Sequence, residues 1–124
     1  MDRIQGGSEG RVLGVDLNNE QLEVARQRTR ALGLHNLEFL ALSADKLEDV
    51  DRQFDLVYSR FLLVHLNRPD EALRAMLDRV KPGGILASDE QALAGASCFL
   101  DSDAFRKSVD LVYRVARSKH LNFD

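Results

Sequence analysis

Apolar residues near the start of the chain first form a short continuous run and then recur at helical spacing. The run from Arg11 to Asp16 contains β-branched valines and is typical of a strand covered on both faces. Asn18 lies three residues before Gln21, which is the capping-box spacing that lets the Asn side chain accept a hydrogen bond from the Gln21 amide. Gly33 supplies a left-handed stop. The pattern predicts a strand, a tight turn and a helix whose apolar face contains Leu22, Ala25, Thr29 and Leu32.

The alternation of strand and helix patterns continues along the chain. Leu37 to Leu42 and Phe54 to Phe61 predict a second and a third strand. Pro69 suits the first position of a helix, and "KPGG" should end that helix, with Lys81 near its negative end. Ile85 to Glu90 then predicts a fourth strand. The apolar face of this helix is predicted to contain Leu73, Met76, Leu77 and Val80.

A last amphipathic helix is predicted after the fourth strand. It begins at Asp101 or Ser102, and its apolar positions are Phe105, Val109, Val112 and Ala116. Strands that alternate with helices indicate a parallel sheet covered by helices and joined by right-handed crossovers. The sequence therefore predicts an α/β fold with a mostly parallel sheet, and residues 1–124 are expected to form a single domain.

Ligands of such sheets bind beyond the carboxyl ends of the strands, and acidic residues follow three of the four predicted strands. Asp16 could accept hydrogen bonds from both hydroxyls of a ribose, although Asp is also a common turn former. Asp45 could accept a hydrogen bond from an adenine amino group, or it could cap the short segment that follows. The residues at the four strand ends are Asp16-Leu17, Ser43-Ala44-Asp45, Ser59-Arg60 and Asp89-Glu90.

The composition of the chain argues against nucleic-acid partners, membrane spans and sites built from cysteine. The formal net charge of −3 provides no basic field for nucleic acid, and no apolar run approaches the length of a membrane span. The first residues lack a signal-peptide pattern, so a cytoplasmic location is expected. Cys98 is the only cysteine, which excludes an internal disulfide, makes a thiolate metal site implausible and favours the role of a small buried hydrophobe.

Four blocks of the sequence resemble the class I S-adenosylmethionine-dependent methyltransferases, particularly those that act on small molecules. In chain order they are "GRVLGVDLNNEQLEVARQRTRALGL", "LEFLALSADKL", "FDLVYSRFLLVHL" and "KPGGILASDE". The resemblance implies a Rossmann-like fold and the cofactor S-adenosylmethionine. It further implies that Asp16 binds the ribose with Leu17 beside the adenine, that Ala44 and Asp45 contact the adenine, and that the turn at Ser59 and Arg60 passes the methionine part.

The same resemblance predicts an incomplete methyltransferase fold. No G-x-G pattern occurs in the chain, so the family's first strand and glycine-rich loop are expected before Met1, and its last antiparallel strands after Asp124. Without the central first strand, the edges of the neighbouring strands would remain unpaired or pair with each other, which favours self-association. Such a fragment is expected to bind S-adenosylmethionine weakly and to transfer its methyl group to a small-molecule acceptor slowly or not at all.

Two other functions remain open from the residues. A dinucleotide-binding oxidoreductase would use Asp16 equally well, but the chain lacks the G-x-G-x-x-G loop. A non-catalytic domain, or one completed by a partner chain, fits the missing segments. No catalytic residue is assigned, because methyl transfer mainly requires alignment. His65 is expected to serve packing or a substrate pocket, and Phe99, Phe105 and Tyr113 either the core or that pocket.

Overall fold

The computed structural model describes residues 10–92 and 95–121. The chain divides into two compact units, Met1–Asp49 and Val50–Asp124. The expectation of a single domain over residues 1–124 stays a prediction. Among the described residues, no helix is both long and apolar enough to cross a membrane.

The first unit contains strand β1 (Val12–Asp16), helix α1 (Asn19–Ala31), strand β2 (Leu37–Ala41) and a 3-10 helix (Ala44–Asp49). The two strands run parallel, with Val12 opposite Leu37 and Asp16 opposite Ala41, and α1 contacts both strands. Because the strands are parallel, their carboxyl ends lie at the same edge of the sheet.

Helix α1 begins and ends where its capping residues predict. The Asn18 side-chain oxygen accepts hydrogen bonds from the Glu20 and Gln21 amides at 2.9 and 3.3 Å, which confirms the predicted cap. Gly33 follows the helix with a φ of 65°. On the predicted apolar face Leu22 is buried, but Leu32 is 64% exposed, because it is the C-cap residue and lies beyond the last helical turn.

The second unit contains strand β3 (Phe54–Arg60), a 3-10 helix (Leu63–His65), helix α2 (Pro69–Asp78), strand β4 (Val80–Asp89) and helix α3 (Asp103–Ser118). Strands β3 and β4 pair in parallel, and α2 contacts β4. In the described ranges, β1 pairs with β2 and β3 pairs with β4, as two separate two-stranded sheets. Within this part of the chain, each of the four strands is therefore hydrogen-bonded to one neighbour.

The buried face of α2 contains Met76, as predicted, but includes Ala72 in place of the predicted leucines. Ala72 and Met76 are 1% and 2% exposed, whereas Leu73 and Leu77 are 40% and 57% exposed. Residues four apart lie on the same side of a helix, so Ala72 and Met76 form the stripe that packs inward and the leucines lie on the neighbouring stripe. Val80, predicted to belong to the helix face, is the first residue of β4.

The "KPGG" segment forms a bulge inside β4 and not the end of the preceding helix. Helix α2 stops at Asp78, and β4 already begins at Val80, opposite Phe54. Leu56 lies opposite Ile85, so residues 81–84 bulge out of the pairing. The Lys81 ammonium is bound by the Asp55 carboxylate at 2.9 and 3.1 Å, and not by the helix end. This hydrogen bond holds the pKa of Asp55 below its usual value.

Helix α3 begins as predicted, but the segment before it does not lie as expected. The Ser102 side chain accepts a hydrogen bond from the Phe105 amide at 3.4 Å, so Ser102 is the cap. The expectation that Cys98 is buried is wrong, because Cys98 is exposed and its neighbour Phe99 is 96% exposed. The chain turns at Leu100 with a φ of 60°, and this turn leaves the side chains before it in solvent.

Candidate functional site

Asp16 ends β1 at the carboxyl edge of the first sheet. Its Oδ1 accepts a hydrogen bond from the Asn18 amide at 2.7 Å, so the turn-forming role considered for this residue is present. No residue of the described ranges hydrogen-bonds to Oδ2. Leu17, the next residue, is 75% exposed. An exposed carboxylate oxygen beside an apolar side chain is the combination that a ribose and an adjoining base require.

Ala44 and Asp45 follow β2 at the same edge as Asp16. They are the first two residues of the 3-10 helix, and Asp45 is exposed whereas Ala44 is half-buried. The pKa of Asp45 lies below its usual value, chiefly because the Ser43 side chain hydrogen-bonds to its carboxylate. Asp45 is therefore an ionised hydrogen-bond acceptor at neutral pH. Its partner is Ser43, which the sequence predicts at the end of a strand.

Ser59 and Arg60 end β3 in the second unit. Ser59 is the one buried polar residue in the described part of the chain, at 8% exposure. Arg60 is half-exposed; its Nε lies 3.8 Å from Oδ2 of Asp89, and its guanidinium lies 4.9 Å from the centre of the Phe61 ring. The aromatic contact is a cation–π interaction.

The buried hydroxyl of Ser59 belongs to a directed chain of hydrogen bonds. Ser59 Oγ lies 2.9 Å from Ser88 Oγ, and Ser88 donates to Glu90 Oε1 at 2.9 Å. A serine hydroxyl has one proton, and a carboxylate only accepts. Because Ser88 gives its proton to Glu90, Ser59 must donate to Ser88. The Ser59 oxygen is thereby left as an acceptor.

The chain turns sharply after β3, at residues 61–64, which we call the β3 turn. Phe61 has a φ of 51°, a conformation that is strained for a bulky side chain. Its amide donates to the Asp89 carbonyl at 2.8 Å. The next three amides point to Glu90: Leu62 and Leu63 donate to Oε1 at 3.3 and 3.2 Å, and Val64 donates to Oε2 at 3.4 Å.

Glu90 makes contacts in this region that the sequence did not reveal. Partial burial raises the pKa of Glu90, but hydrogen bonds from the Leu63 amide, the Ser88 hydroxyl and the Val64 and Leu62 amides outweigh that effect. The pKa therefore lies below its usual value, and the carboxylate is ionised at neutral pH. The only sequence signal was its position at the end of a strand.

A groove of about 290 Å³ lies along α3 in the second unit. Phe105 and Tyr113, both candidates for a substrate pocket, line it together, whereas Phe99 does not. Arg106 at its side is paired with Asp101 and Asp103. The full lining is Ala96, Phe105, Arg106, Val109, Asp110 and Tyr113.

The structure brings the predicted site residues together in two groups. Asp16, Leu17, Ala44 and Asp45 share the carboxyl edge of the first unit's sheet, and Ser59 and Arg60 lie at that of the second. His65 is exposed, and its role in packing or in a substrate pocket stays a prediction. In residues 10–92 and 95–121, no group of three or more His, Cys, Asp or Glu could hold a metal ion.

A comparison with known protein families identifies the family of this chain. A family model described as "Methyltransferase domain" matches residues 2–84, which is more than half of the chain. The chain belongs to this methyltransferase family. The predicted resemblance to class I S-adenosylmethionine-dependent methyltransferases is thereby confirmed, and all six predicted cofactor residues lie within the matched part.

Curated relatives of the methyltransferase domain include bacterial quinone-biosynthesis enzymes. The ubiquinone/menaquinone biosynthesis C-methyltransferase UbiE of Pseudomonas putida (strain GB-1) is 41% identical over 81 residues, which cover 64% of this chain and 32% of the relative. The same enzyme of Azotobacter vinelandii is 40% identical over the same shares. The chain thus spans about a third of the length of the curated relatives that it matches.

Solved structures confirm the fold of the domain. The YcgJ protein of Bacillus subtilis matches with a TM-score of 0.60 and 28% identity, covering 66% of this chain and 36% of that one. The [4+2]-cyclase SpnF matches with a TM-score of 0.61 and 24% identity, covering 86% and 43%. At that identity the likeness to SpnF shows the fold alone. The predicted Rossmann-like arrangement of parallel strands and flanking helices is confirmed.

Proposed function

We propose that this chain acts as an S-adenosylmethionine-dependent methyltransferase domain and that its acceptor is a small molecule. The observation that carries the proposal is the family match over residues 2–84, which contains every strand end at which the cofactor would bind. The match favours methyl transfer over the dinucleotide-dependent oxidoreductase alternative. A cytoplasmic location is part of the proposal, in keeping with a chain whose single cysteine forms no internal disulfide.

The residues at the strand ends fit the cofactor. The free Oδ2 of Asp16 would accept hydrogen bonds from the ribose hydroxyls, and Leu17 would cover the adenine. Asp45, kept ionised by Ser43, would accept from the adenine amino group beside Ala44. The β3 turn, with Ser59 and Arg60, would contact the methionine part. When bound, the cofactor supplies a methyl group on a positively charged sulfur, and the domain's task is to hold it in line with the acceptor.

Self-association is the second part of the proposal. In the described residues, β1 and β3 each pair with one neighbour and present their other edge. An open strand edge carries unpaired amides and carbonyls that a further strand can satisfy. This arrangement supports association of the chain with a second copy, or completion by a partner chain.

Asp16→Ala is expected to weaken the binding of S-adenosylhomocysteine, the demethylated product, by at least about 1.5 kcal/mol, because the bonds to a charged acceptor are lost. Isothermal titration calorimetry measures the difference from the parent chain. Asp16→Asn removes the charge but keeps the turn, since an Asn oxygen can still accept a hydrogen bond from the Asn18 amide. A loss of affinity in this variant is therefore due to the cofactor contact and not to the turn. Asp49→Ala, which removes another exposed carboxylate of the same unit, should change nothing. Unchanged affinity in Asp16→Ala would remove Asp16 from the site.

Asp45→Asn is expected to weaken S-adenosylhomocysteine by a similar order, about 1.5 kcal/mol, while the fold is kept. The side chain is exposed, so its neutralisation leaves no buried group without a partner. Calorimetry gives the affinity, and thermal unfolding followed by circular dichroism gives the stability. If the variant unfolds, Asp45 serves the 3-10 helix and not the cofactor.

A further inference from the structure

The β3 turn combines three features that a simple connection does not need. Phe61 is held in a left-handed conformation, which bulky residues adopt only where surrounding contacts force it. One carboxylate, from Glu90, accepts hydrogen bonds from three successive amides of that turn. The same carboxylate ends the hydroxyl chain that begins at the buried Ser59.

These contacts constrain the turn from the opposite strand. Glu90 follows β4 and reaches the amides of Leu62, Leu63 and Val64, which follow β3. Hydrogen bonds to an ionised acceptor are roughly twice as strong as neutral ones, so together they can offset the strain at Phe61. The carboxylate thus fixes the backbone that comes directly after Ser59 and Arg60.

Glu90 also fixes the direction of the hydroxyl protons. An ionised carboxylate accepts only, so Ser88 donates to it and Ser59 donates to Ser88. A neutral glutamine in its place carries an amide NH₂ that can donate to Ser88 and reverse the chain. The acceptor character of the Ser59 oxygen therefore depends on Glu90.

We infer that Glu90 is a positioning residue for the methyl-transfer site, which holds the strained β3 turn and the Ser59 hydroxyl in the arrangement that receives the methionine part of the cofactor. This inference rests on the proposed function. It assigns Glu90 no contact with the cofactor, because its two oxygens are occupied by Ser88 and the turn amides.

The test compares two ligands that differ in the methionine part. S-adenosylhomocysteine and adenosine are titrated into the parent chain, Glu90→Gln and the control Asp55→Asn. The control neutralises an exposed carboxylate that pairs with Lys81 at the opposite end of β3 from the turn. Glu90→Gln should weaken S-adenosylhomocysteine by about tenfold, as expected for lost hydrogen bonds to a charge. Its affinity for adenosine, which relies on Asp16 and Asp45, should stay within about twofold, as should both affinities of Asp55→Asn.

Amide hydrogen exchange measures the local stability of the β3 turn in the same variants. In Glu90→Gln the amides of Leu62, Leu63 and Val64 should exchange at least about tenfold faster, because the turn opens locally. The amides of Val57 and Leu86, which lie inside the β3–β4 sheet, should keep their rates. Faster exchange throughout the sheet would show a general loss of stability and would overturn the positioning role.

The outcomes separate the inference from the proposed function. If the parent chain binds neither ligand, the proposed function fails and the inference with it. If the parent binds S-adenosylhomocysteine and Glu90→Gln binds it equally well, only the inference is overturned. Should Glu90→Gln not fold, Ser88→Ala takes its place, since it removes the partner of Ser59 and leaves the three amide bonds of Glu90. It should also weaken S-adenosylhomocysteine but not adenosine, and equal affinities would count against the role.

Discussion

Replacing Met76 with alanine is expected to lower the free energy of unfolding of the Val50–Asp124 unit by about 2–5 kcal/mol. Met76 is 2% exposed and is the largest fully buried side chain in the described ranges. It lies on α2, which contacts β4. Truncation removes apolar surface from the interior and leaves a cavity that the neighbouring backbone fills only in part. Urea unfolding, followed by circular dichroism, measures the change.

Leu77→Ala is the matched control for this variant. Leu77 is the next residue of the same helix and loses a side chain of similar size, but it is 57% exposed. Its replacement should change the free energy of unfolding by no more than about 0.5 kcal/mol. Equal losses for the two variants would mean that α2 does not pack through the stripe formed by Ala72 and Met76.

Replacing Gly84 with alanine is expected to lower the free energy of unfolding by about 3 kcal/mol. A Cβ at this position would lie 2.9 Å from the Asp55 carbonyl oxygen and 3.0 Å from the Lys81 carbonyl oxygen. Both oxygens belong to the backbone at the bulge, so neither can move without disturbing the pairing of β3 with β4. The same urea titration gives the difference from the parent chain.

Alanine variants of two other glycines show how much of the stability loss comes from lack of space and how much from backbone conformation. Gly83 has a φ of 81° but open space around it, so Gly83→Ala should lose only the conformational term, about 1–2 kcal/mol. Gly95 has nothing within 4 Å, and Gly95→Ala should stay within about 0.5 kcal/mol of the parent. A Gly84→Ala variant as stable as Gly95→Ala would contradict the bulge geometry.

The sequence predicted those elements whose ends depend on local chemistry. Asn18 and Ser102 cap helices through hydrogen bonds to amides two or three residues away, and Gly33 ends α1 through its own backbone angle. Such contacts lie within one turn of chain and can therefore be recognised from residue types and spacing. The starts of α1 and α3 were predicted correctly for this reason.

Features set by contacts between distant segments were predicted less well. The two apolar stripes of α2 have similar patterns, and only the packed structure shows that Ala72 and Met76 face inward while the bulkier Leu73 and Leu77 remain exposed. Residues 81–84 carry strong turn signals, but their place in a bulge depends on the register of β4 against β3. Neither the facing stripe nor the register is encoded in a local spacing.

In the candidate site, too, residues at strand ends were predicted from the sequence, whereas contacts between distant segments were not. The acids after β1 and β2 were identified from their place at strand ends, a rule that applies to parallel sheets in general. The contacts of Glu90 were not, because its amide partners lie 26 to 28 residues earlier in the chain. Every residue except proline has a backbone amide, so the residue types at positions 62–64 do not indicate that these amides bind Glu90.

The exposed position of Cys98 bears on how any association of the chain is measured. This sequence contains no second cysteine, so a disulfide can form only between two molecules. Air oxidation would then produce a covalent dimer that resembles strand-mediated association in a sizing experiment. A thiol reductant cleaves the disulfide-linked dimer and leaves the strand-mediated dimer intact. The same solitary thiol offers a single attachment point for a fluorescent or spin label, at a position outside both groups of proposed cofactor residues.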